Sequence, residues 1–565
     1  MISGLSPLDI GLPAKFSSWR PNQILALSRE FPVITPDPSN PTSIIPSYFQ
    51  SHSMPVGDGK SVFYIAKALL TAQRACILTS TKGLQNQLMG DFSPIGLCDI
   101  RGRNNYVCID KECRNCEEGQ HHRCPPLECD YERHREKMLQ SPLVTTNYSY
   151  FTRSHRYGRG MGSFDLLILD EAHDAPDEVC AAMAIEVGYW EASKIGINLP
   201  REGDLDQWHD WATEALPIVS RNVEDLKLSM ESEKEERGRP HISTIKEYRF
   251  WSAVLTKVNS ILEASGEWAI ERIGNGYRLE PIWASDYADA ILFRNIPHII
   301  LVSATMVQKT IDLLGIPEDR NQFFEYPSSF PPQNSPIYNY CPLGISGRPL
   351  QLNHRSTNDD LVIWTSFMDN IIRRRLDRKG IIHSVSYDRS RFIRDNSEFG
   401  RHMIVPEKGS ETAAAIRRFV LAPPGTILVS PSITTGLDFK YSLCEYNIIA
   451  KVPFLDTRGA VLSARQASDD EYAPYVTAQT IVQAAGRSTR AADDRSEVFI
   501  LDANFSWFFR KYKHLFPFWF SRLLQKPTSM PEPPAPLNRV PDLSTLSLEA
   551  DDTTLTSISN LPKGL

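Results

Sequence analysis

Short apolar runs, each closed by polar or acidic residues, set the framework of this chain. Phe164-Asp165-Leu166-Leu167-Ile168-Leu169 runs into Asp170-Glu171-Ala172-His173. Ala75-Cys76-Ile77-Leu78 runs into Thr79-Ser80-Thr81-Lys82, and His298-Ile299-Ile300-Leu301-Val302 into Ser303-Ala304-Thr305. Two more, Gly380-Ile381-Ile382-His383 and Thr426-Ile427-Leu428-Val429-Ser430, lie in the second half. Continuous runs of this length predict parallel strands buried on both faces. Helical spacing appears ahead of the first of them: Val62, Phe63, Ile65, Ala66, Leu69 and Leu70 share one face, and Ile24, Leu25 and Leu27 follow Arg20-Pro21-Asn22-Gln23. Strands alternating with helices predict an α/β fold. In such folds ligands bind outside the C-terminal tips of the strands, where the polar closures fall.

Asp170 and Glu171 are the most telling of these closures. Two carboxylates at a strand tip suit a phosphate-transfer site, with Asp170 holding Mg²⁺ and Glu171 orienting or deprotonating the attacking water. A surface acidic turn is the plainer alternative, and what lies upstream argues against it. Residues 54–61 read Met54-Pro55-Val56-Gly57-Asp58-Gly59-Lys60-Ser61. Gly57 and Gly59 let backbone N–H groups approach phosphate oxygens, Lys60 would neutralise the β/γ-phosphates, and Ser61 would ligate Mg²⁺. The helical pattern that follows places this loop at a helix N-terminus, which favours an anion. The first position of the usual GxxxxGK[ST] pattern is Met54 rather than glycine.

With 565 residues there is room for about three or four domains of ~150 residues. A formal net charge of −7 excludes a global basic footprint, so any nucleic-acid contact must come from local grooves. No apolar run of about 18 residues is present, so no membrane span is expected. The first twenty residues lack the basic and apolar regions of a secretory signal. A cytosolic, reducing location follows, which argues against a disulfide framework for the ten cysteines.

Five of those cysteines crowd into one polar stretch: Cys108, Cys113, Cys116, Cys124 and Cys129. Such a segment has too little apolar surface for a core of its own, and a metal is the natural staple. Thiolates at this spacing suit Zn²⁺ or an iron–sulfur cluster, and His121 and His122 keep zinc open. Further along, Thr434-Thr435-Gly436-Leu437-Asp438 and Gln483-Ala484-Ala485-Gly486-Arg487-Ser488-Thr489-Arg490 add a loop and a helix. Arg487 and Arg490, three apart, share a helix face from which two guanidinium groups would reach a γ-phosphate; a solvated basic face is the alternative. Gln23 has the amide needed to read an adenine edge, or simply begins a helix.

Taken in order, R-x-x-Q, GxGKS, TSTK, the cysteine cluster, DEAH, SAT, TTGLD and QAAGRSTR resemble the motifs of the DinG/XPD-type superfamily-two helicases over residues 17–510. Arg101-Gly102-Arg103-Asn104-Asn105-Tyr106-Val107-Cys108 looks like the family's lead-in to its first cluster cysteine. Cys129-Asp130-Tyr131 and Thr146-Asn147-Tyr148-Ser149-Tyr150-Phe151 look like what closes and follows the cluster. The resemblance implies two RecA-like motor domains and a [4Fe–4S] cluster. Its ligands would be Cys108, Cys124, Cys129 and one of Cys113 and Cys116, with Cys116 taken here. It also implies ATP and Mg²⁺ held by Gln23, Gly57, Gly59, Lys60, Ser61, Asp170 and Glu171 on one side of a cleft, with Arg487 and Arg490 opposite.

The organisation expected from the resemblance is a first motor domain over 1–310, carrying a cluster insert at 98–145 and a helical, arch-like insert at 175–288. A second motor domain would span 335–525, and a Pro/Ser/Thr-rich disordered tail 526–565, open to a protein partner. Too few residues precede Gln23 for the exonuclease domain of some relatives, and the compact inserts point by analogy to a bacterial or phage type. The expected activity is ATP-driven unwinding of forked DNA with 5′→3′ movement on single strands. A translocase that does not separate strands shares every motor motif. A zinc-stabilised nucleic-acid-binding protein with a decayed motor is opposed by the intact Lys60, Asp170, Glu171 and Arg487.

Overall fold

The apolar runs become strands whose successive residues feed two different cores. The computed structural model describes residues 4–32, 46–109, 113–119, 128–157, 160–200, 204–353, 355–431, 439, 441–486 and 493–537. In chain order the first strands are β1 (Tyr48–Ser53), β2 (Ala75–Thr79), β3 (Cys98–Asp99), β4 (Leu143–Asn147) and β5 (Leu166–Asp170). An inserted unit carries β6 (Ile185–Gly188), β7 (Trp268–Ile273) and β8 (Gly276–Pro281), and β9 (His298–Ser303) and β10 (Asn321–Glu325) complete the first domain. Its sheet has the order β10-β1-β9-β5-β2-β4-β3 and is parallel throughout. Leu167 and Leu169 of β5 enter one core with Cys76 and Leu78, while Leu166 and Ile168 enter the other with Ala75 and Ile77. That is the period of two expected of a strand covered on both faces. The sheet continues to Glu325, past the boundary expected at 310.

The second domain repeats the design with β11 (Ile337–Asn339), β12 (Gly380–His383), β13 (Met403–Ile404), β14 (Ile427–Ser430), β15 (Tyr446–Ile449), β16 (Glu497–Ile500) and β17 (Leu524–Gln525). The order is β13-β14-β12-β15-β16-β11-β17, again all parallel. Ile381 and Leu428 face one core; Ile382, Ile427 and Val429 face the other.

The insert between β5 and β9 is not purely helical. The long helices Leu205–Arg237 and Ile242–Leu262 pack together, and both lie on a three-stranded antiparallel sheet ordered β6-β8-β7. Trp208, Trp211, Val219, Trp251, Val254 and Val258 meet Ile185, Val187, Tyr277 and Leu279 in one core. The close approach of β6 to the start of β8 needs glycine at 276, where a Cβ would overlap the Val187 carbonyl. Asp204 caps the first helix by accepting from Gln207 N at 3.2 Å, and left-handed Gly238 ends it. The charged run Glu231–Arg237 forms its last, exposed turns. No helix of the described residues is long and apolar enough to cross a membrane.

Part of the stretch expected to be a free tail is seated on the second domain. Pro531 O accepts from Arg375 Nη2 at 3.2 Å, Pro534 O accepts from Arg378 Nη1 at 2.8 Å, and Leu537 N donates to Glu445 Oε2 at 2.9 Å. Residues 538–565 lie outside the described residues. Arg375 also pairs in two-pronged fashion with Glu497, at 2.7 Å on each prong, and both side chains are essentially inaccessible to solvent. Removing one member of such a pair strands the other charge in the core. Arg375→Met is expected to lower the unfolding free energy by about 3–5 kcal/mol, read from urea titration. A change below about 1 kcal/mol would mean the pair is no more than a surface ion pair in effect.

Candidate nucleotide site and cysteine cluster

The phosphate-loop candidate bridges β1 and the helix Lys60–Thr71. Gly57 (φ +83°) and Gly59 (φ +77°) take left-handed conformations that L-residues avoid. At Gly59 there is a second reason for glycine: a Cβ would overlap the Gln23 amide nitrogen. Gln23 holds the loop directly. Its Nε2 donates to Gly59 O at 3.0 Å and Asp58 O at 3.3 Å, while its Oε1 accepts from Arg20 N at 2.8 Å. The amide that the sequence suggested as a base reader is therefore engaged with the loop in this structure. Asp58, fully buried, accepts from Asn22 Nδ2 and from Ser329 N. Burial pushes its carboxyl up, against opposing hydrogen bonds from Asn22 and Ser329.

β5 brings the two carboxylates to this loop. Lys60 Nζ lies 3.4 Å from Glu171 Oε1. Buried Asp170 accepts from Tyr64 OH at 3.1 Å and from Glu171 N at 3.1 Å. Glu171 itself has φ +49°, a conformation uncommon outside glycine and one that recurs at functional sites. Burial, with the Glu171 charge beside it, raises the Asp170 carboxyl to about 6, against the pull of Lys60 and Tyr64. The sign follows directly: Asp170 gains a proton as pH falls through about 6 and loses its capacity to hold a cation. ATP hydrolysis at limiting Mg²⁺ is expected to fall through that range, and added Mg²⁺ to move the midpoint lower by competing with the proton. A midpoint indifferent to Mg²⁺ would contradict this placing of Asp170.

His173 joins the carboxylates to the neighbouring strand β9 and to the other domain. Its Nδ1 lies 2.8 Å from Ser303 Oγ, and Ser303 Oγ donates to Glu171 Oε2 at 3.4 Å. Its Nε2 lies 2.6 Å from the Gln483 amide, on the second-domain helix Tyr472–Ala485. Burial alone would lower the imidazole's proton affinity, but Asp174 and Glu171 outweigh it and raise it. The same helix ends at Gly486, where a Cβ would crowd Val56 of the phosphate loop. Arg487 and Arg490 follow in sequence and lie outside the described residues, as does the Thr434-to-Asp438 loop. Ser61 is on the first turn after the loop. Thr81 caps the helix Lys82–Phe92, its side chain accepting from Leu84 N at 3.2 Å.

Among the cysteines, the Cys116 and Cys129 thiols lie 3.8 Å apart and both are buried. Arg103 Nη1 donates to Cys116 Sγ at 3.4 Å, pairs with Glu132 at 2.9 Å and stacks over Tyr131. A Cβ on Gly119 would overlap Cys108 Sγ, so the 113–119 loop folds back onto Cys108. Burial raises the Cys116 thiol to about 11, a cost that a thiophilic metal removes by taking the thiolate as ligand. Cys124, His121 and His122 lie outside the described residues, and among the described residues no three His, Cys, Asp or Glu side chains converge on one point. A soft, paired thiol donor set with a guanidinium beside it fits a thiolate-bound metal group.

Comparison with known proteins gives a consistent picture. Residues 382–522 match the family described as helicase C-terminal domain, which is the second domain from β12 to the helix Phe518–Leu523. A solved XPD helicase superimposes with a TM-score of 0.52 at 13% identity, covering 83% of this chain and 95% of that one. The Xpd4 structure from S. tokodaii gives 0.49 at 13% identity, covering 85% and 96%. No curated protein matches the chain by sequence. The first of these likenesses establishes the paired parallel-sheet architecture.

Proposed function

We infer that this chain, a helicase of the XPD/DinG type, is an ATP-driven motor that moves 5′→3′ along single-stranded DNA and parts the duplex ahead of it. The observation that carries the reading is the site just described: Lys60, Asp170 and Glu171 gather at the first domain's phosphate loop and DEAH turn, which meet the second domain through His173–Gln483 and Val56–Gly486. ATP fits there with its phosphates on the loop 54–59 and the helix N-terminus beyond it. Lys60 would leave Glu171 for the β/γ-phosphates, freeing Glu171 to orient the attacking water. Mg²⁺ would sit on Asp170 and Ser61 and neutralise developing phosphate charge. Arg487 and Arg490, just beyond Gly486, would supply positive charge from the second domain when the cleft closes.

Cys108, Cys116, Cys124 and Cys129 would hold a [4Fe–4S] cluster, with Cys113 the competing candidate for the place given to Cys116. Bound there, the cluster supplies a cross-link that orders a segment without a core of its own. Single-stranded DNA would cross both domains on backbone contacts, largely without sequence readout. The direct test is ATP hydrolysis with and without single-stranded DNA. Stimulation by single strands and not by blunt duplex is expected; hydrolysis indifferent to DNA would overturn the reading.

A further inference from the structure

Arg465 lies far from the phosphate loop in sequence and role, yet it is among the most enclosed charges in the molecule, at 4% exposure. It belongs to the second domain, on the helix Ala460–Ser468. Among the described residues, all but one of the partners that hydrogen-bond or ion-pair with its guanidinium lie across the domain boundary. Nε donates to Ile282 O at 2.7 Å, Nη1 lies 3.1 Å from Asp177 Oδ1, and Nη2 lies 3.7 Å from Glu280 Oε1. The exception is Tyr472 OH, at 2.7 Å, which fixes the guanidinium to the start of the helix Tyr472–Ala485.

Those partners have a common meaning. Asp177 is on the helix Ala175–Met183, which leads from the DEAH turn into the insert. Glu280 and Ile282 lie where β8 leads back out of it. One side chain therefore ties the outgoing and returning ends of the insert to the second domain. The helix Ala460–Ser468 also lies along β7 of the insert. Beside it the first domain itself meets the second, with Lys309 paired to Asp469 at 2.7 Å and Thr310 Oγ1 2.9 Å from Tyr475 OH. The insert is rooted in the first-domain core, where Val179, Cys180, Ala284 and Ala288 are buried, and through β7, β8 and Arg465 it is held by the second domain as well. The helix Tyr472–Ala485 connects this anchor to the ATP cleft, since Gln483 near its far end touches His173. At 1.5 Å rise per residue the two ends lie about 16 Å apart on one rigid rod.

We propose that Arg465 is a positioning residue that couples the insert to the second domain, so that nucleotide-driven closure of the cleft is passed on to the insert. The proposal rests on the helicase reading for the use of that motion, which is strand separation, but the anchoring itself does not. The arrangement tolerates the needed variant. Asp177 is 72% exposed even with Arg465 in place and Glu280 also has Arg278 at 2.8 Å, so the variant leaves neither carboxylate buried and unpaired.

The test compares the full-length wild type with Arg465→Met and Arg465→Lys. Three readings are taken: single-strand-stimulated ATP hydrolysis, unwinding of a forked duplex, and amide hydrogen exchange over residues 268–282 with and without a non-hydrolysable ATP analogue. For Arg465→Met, kcat and KM of hydrolysis are expected to stay within about twofold while unwinding falls about tenfold. Exchange over 268–282 should quicken and cease to respond to nucleotide, and Arg465→Lys should recover part of both effects. Hydrolysis and unwinding falling in equal proportion would overturn the proposal, as would nucleotide-responsive exchange that survives in Arg465→Met. Should the wild type fail to hydrolyse ATP, the helicase reading fails alone, because basal exchange in Arg465→Met still decides whether the anchor exists.

Discussion

Lys60→Ala is expected to cut ATP turnover by about 10²–10³ while leaving the fold intact, the loss seen when one preorganised cationic or hydrogen-bonding group is taken from developing charge. Lys60 begins the helix after the phosphate loop and pairs with Glu171 at 3.4 Å. That pair is partly open to solvent, so it adds little to stability. Alanine is at least as good a helix former, and the loop keeps its Gln23 bonds. The melting temperature should therefore hold while hydrolysis disappears. Turnover within about twofold of wild type would remove the loop from the mechanism.

An effect of similar size is expected at the cysteines, with a different signature. Cys129→Ser replaces one of two thiols that lie 3.8 Å apart with a hydroxyl that binds iron poorly. Metal affinity in such a segment is also its folding energy, of the order of 10 kcal/mol in small thiolate sites. The variant should lose its iron and the brown colour of anaerobically purified protein. Residues 98–141 should become sensitive to protease, and unwinding should fail. The two parallel sheets contain none of the four proposed cluster ligands, so hydrolysis should persist. Stoichiometric iron in Cys129→Ser would take this residue out of the ligand set. Colourless wild-type protein containing zinc would exchange the cluster for a zinc site.

Much of the site was legible because its chemistry is local. Gly57, Gly59, Lys60, Asp170 and Glu171 belong to two short segments whose residue types suit little besides phosphate chemistry, and the structure brings those segments together. β1 was harder. Tyr48-Phe49-Gln50-Ser51-His52-Ser53 has no apolar run, yet it lies between β10 and β9. Several of its polar side chains find partners across the sheet, with Ser51 on Asn321 at 2.8 Å, His52 on Tyr326 at 2.9 Å and Ser53 on Met306 O at 2.8 Å. Partners hundreds of residues away leave no periodic trace. The sheet under the insert's helices was missed for a related reason: β6 is separated from its partner β8 by both long helices. Arg465, Gln483 and Asp58 likewise owe their roles to neighbours that only the folded chain supplies. The Pro-rich stretch after Lys526 looked unable to fold because it has no core of its own; it borrows one, with Met530 against the second domain and Arg375 and Arg378 binding its carbonyls.

Directed strand separation is the central claim. The measurement is ATP-dependent unwinding of a forked duplex bearing either a 5′ or a 3′ single-stranded tail, on anaerobically purified protein. Unwinding of the 5′-tailed substrate alone is the predicted result. Failure on both substrates, alongside hydrolysis that single strands stimulate, would contradict it and leave a translocase that moves on DNA without opening it.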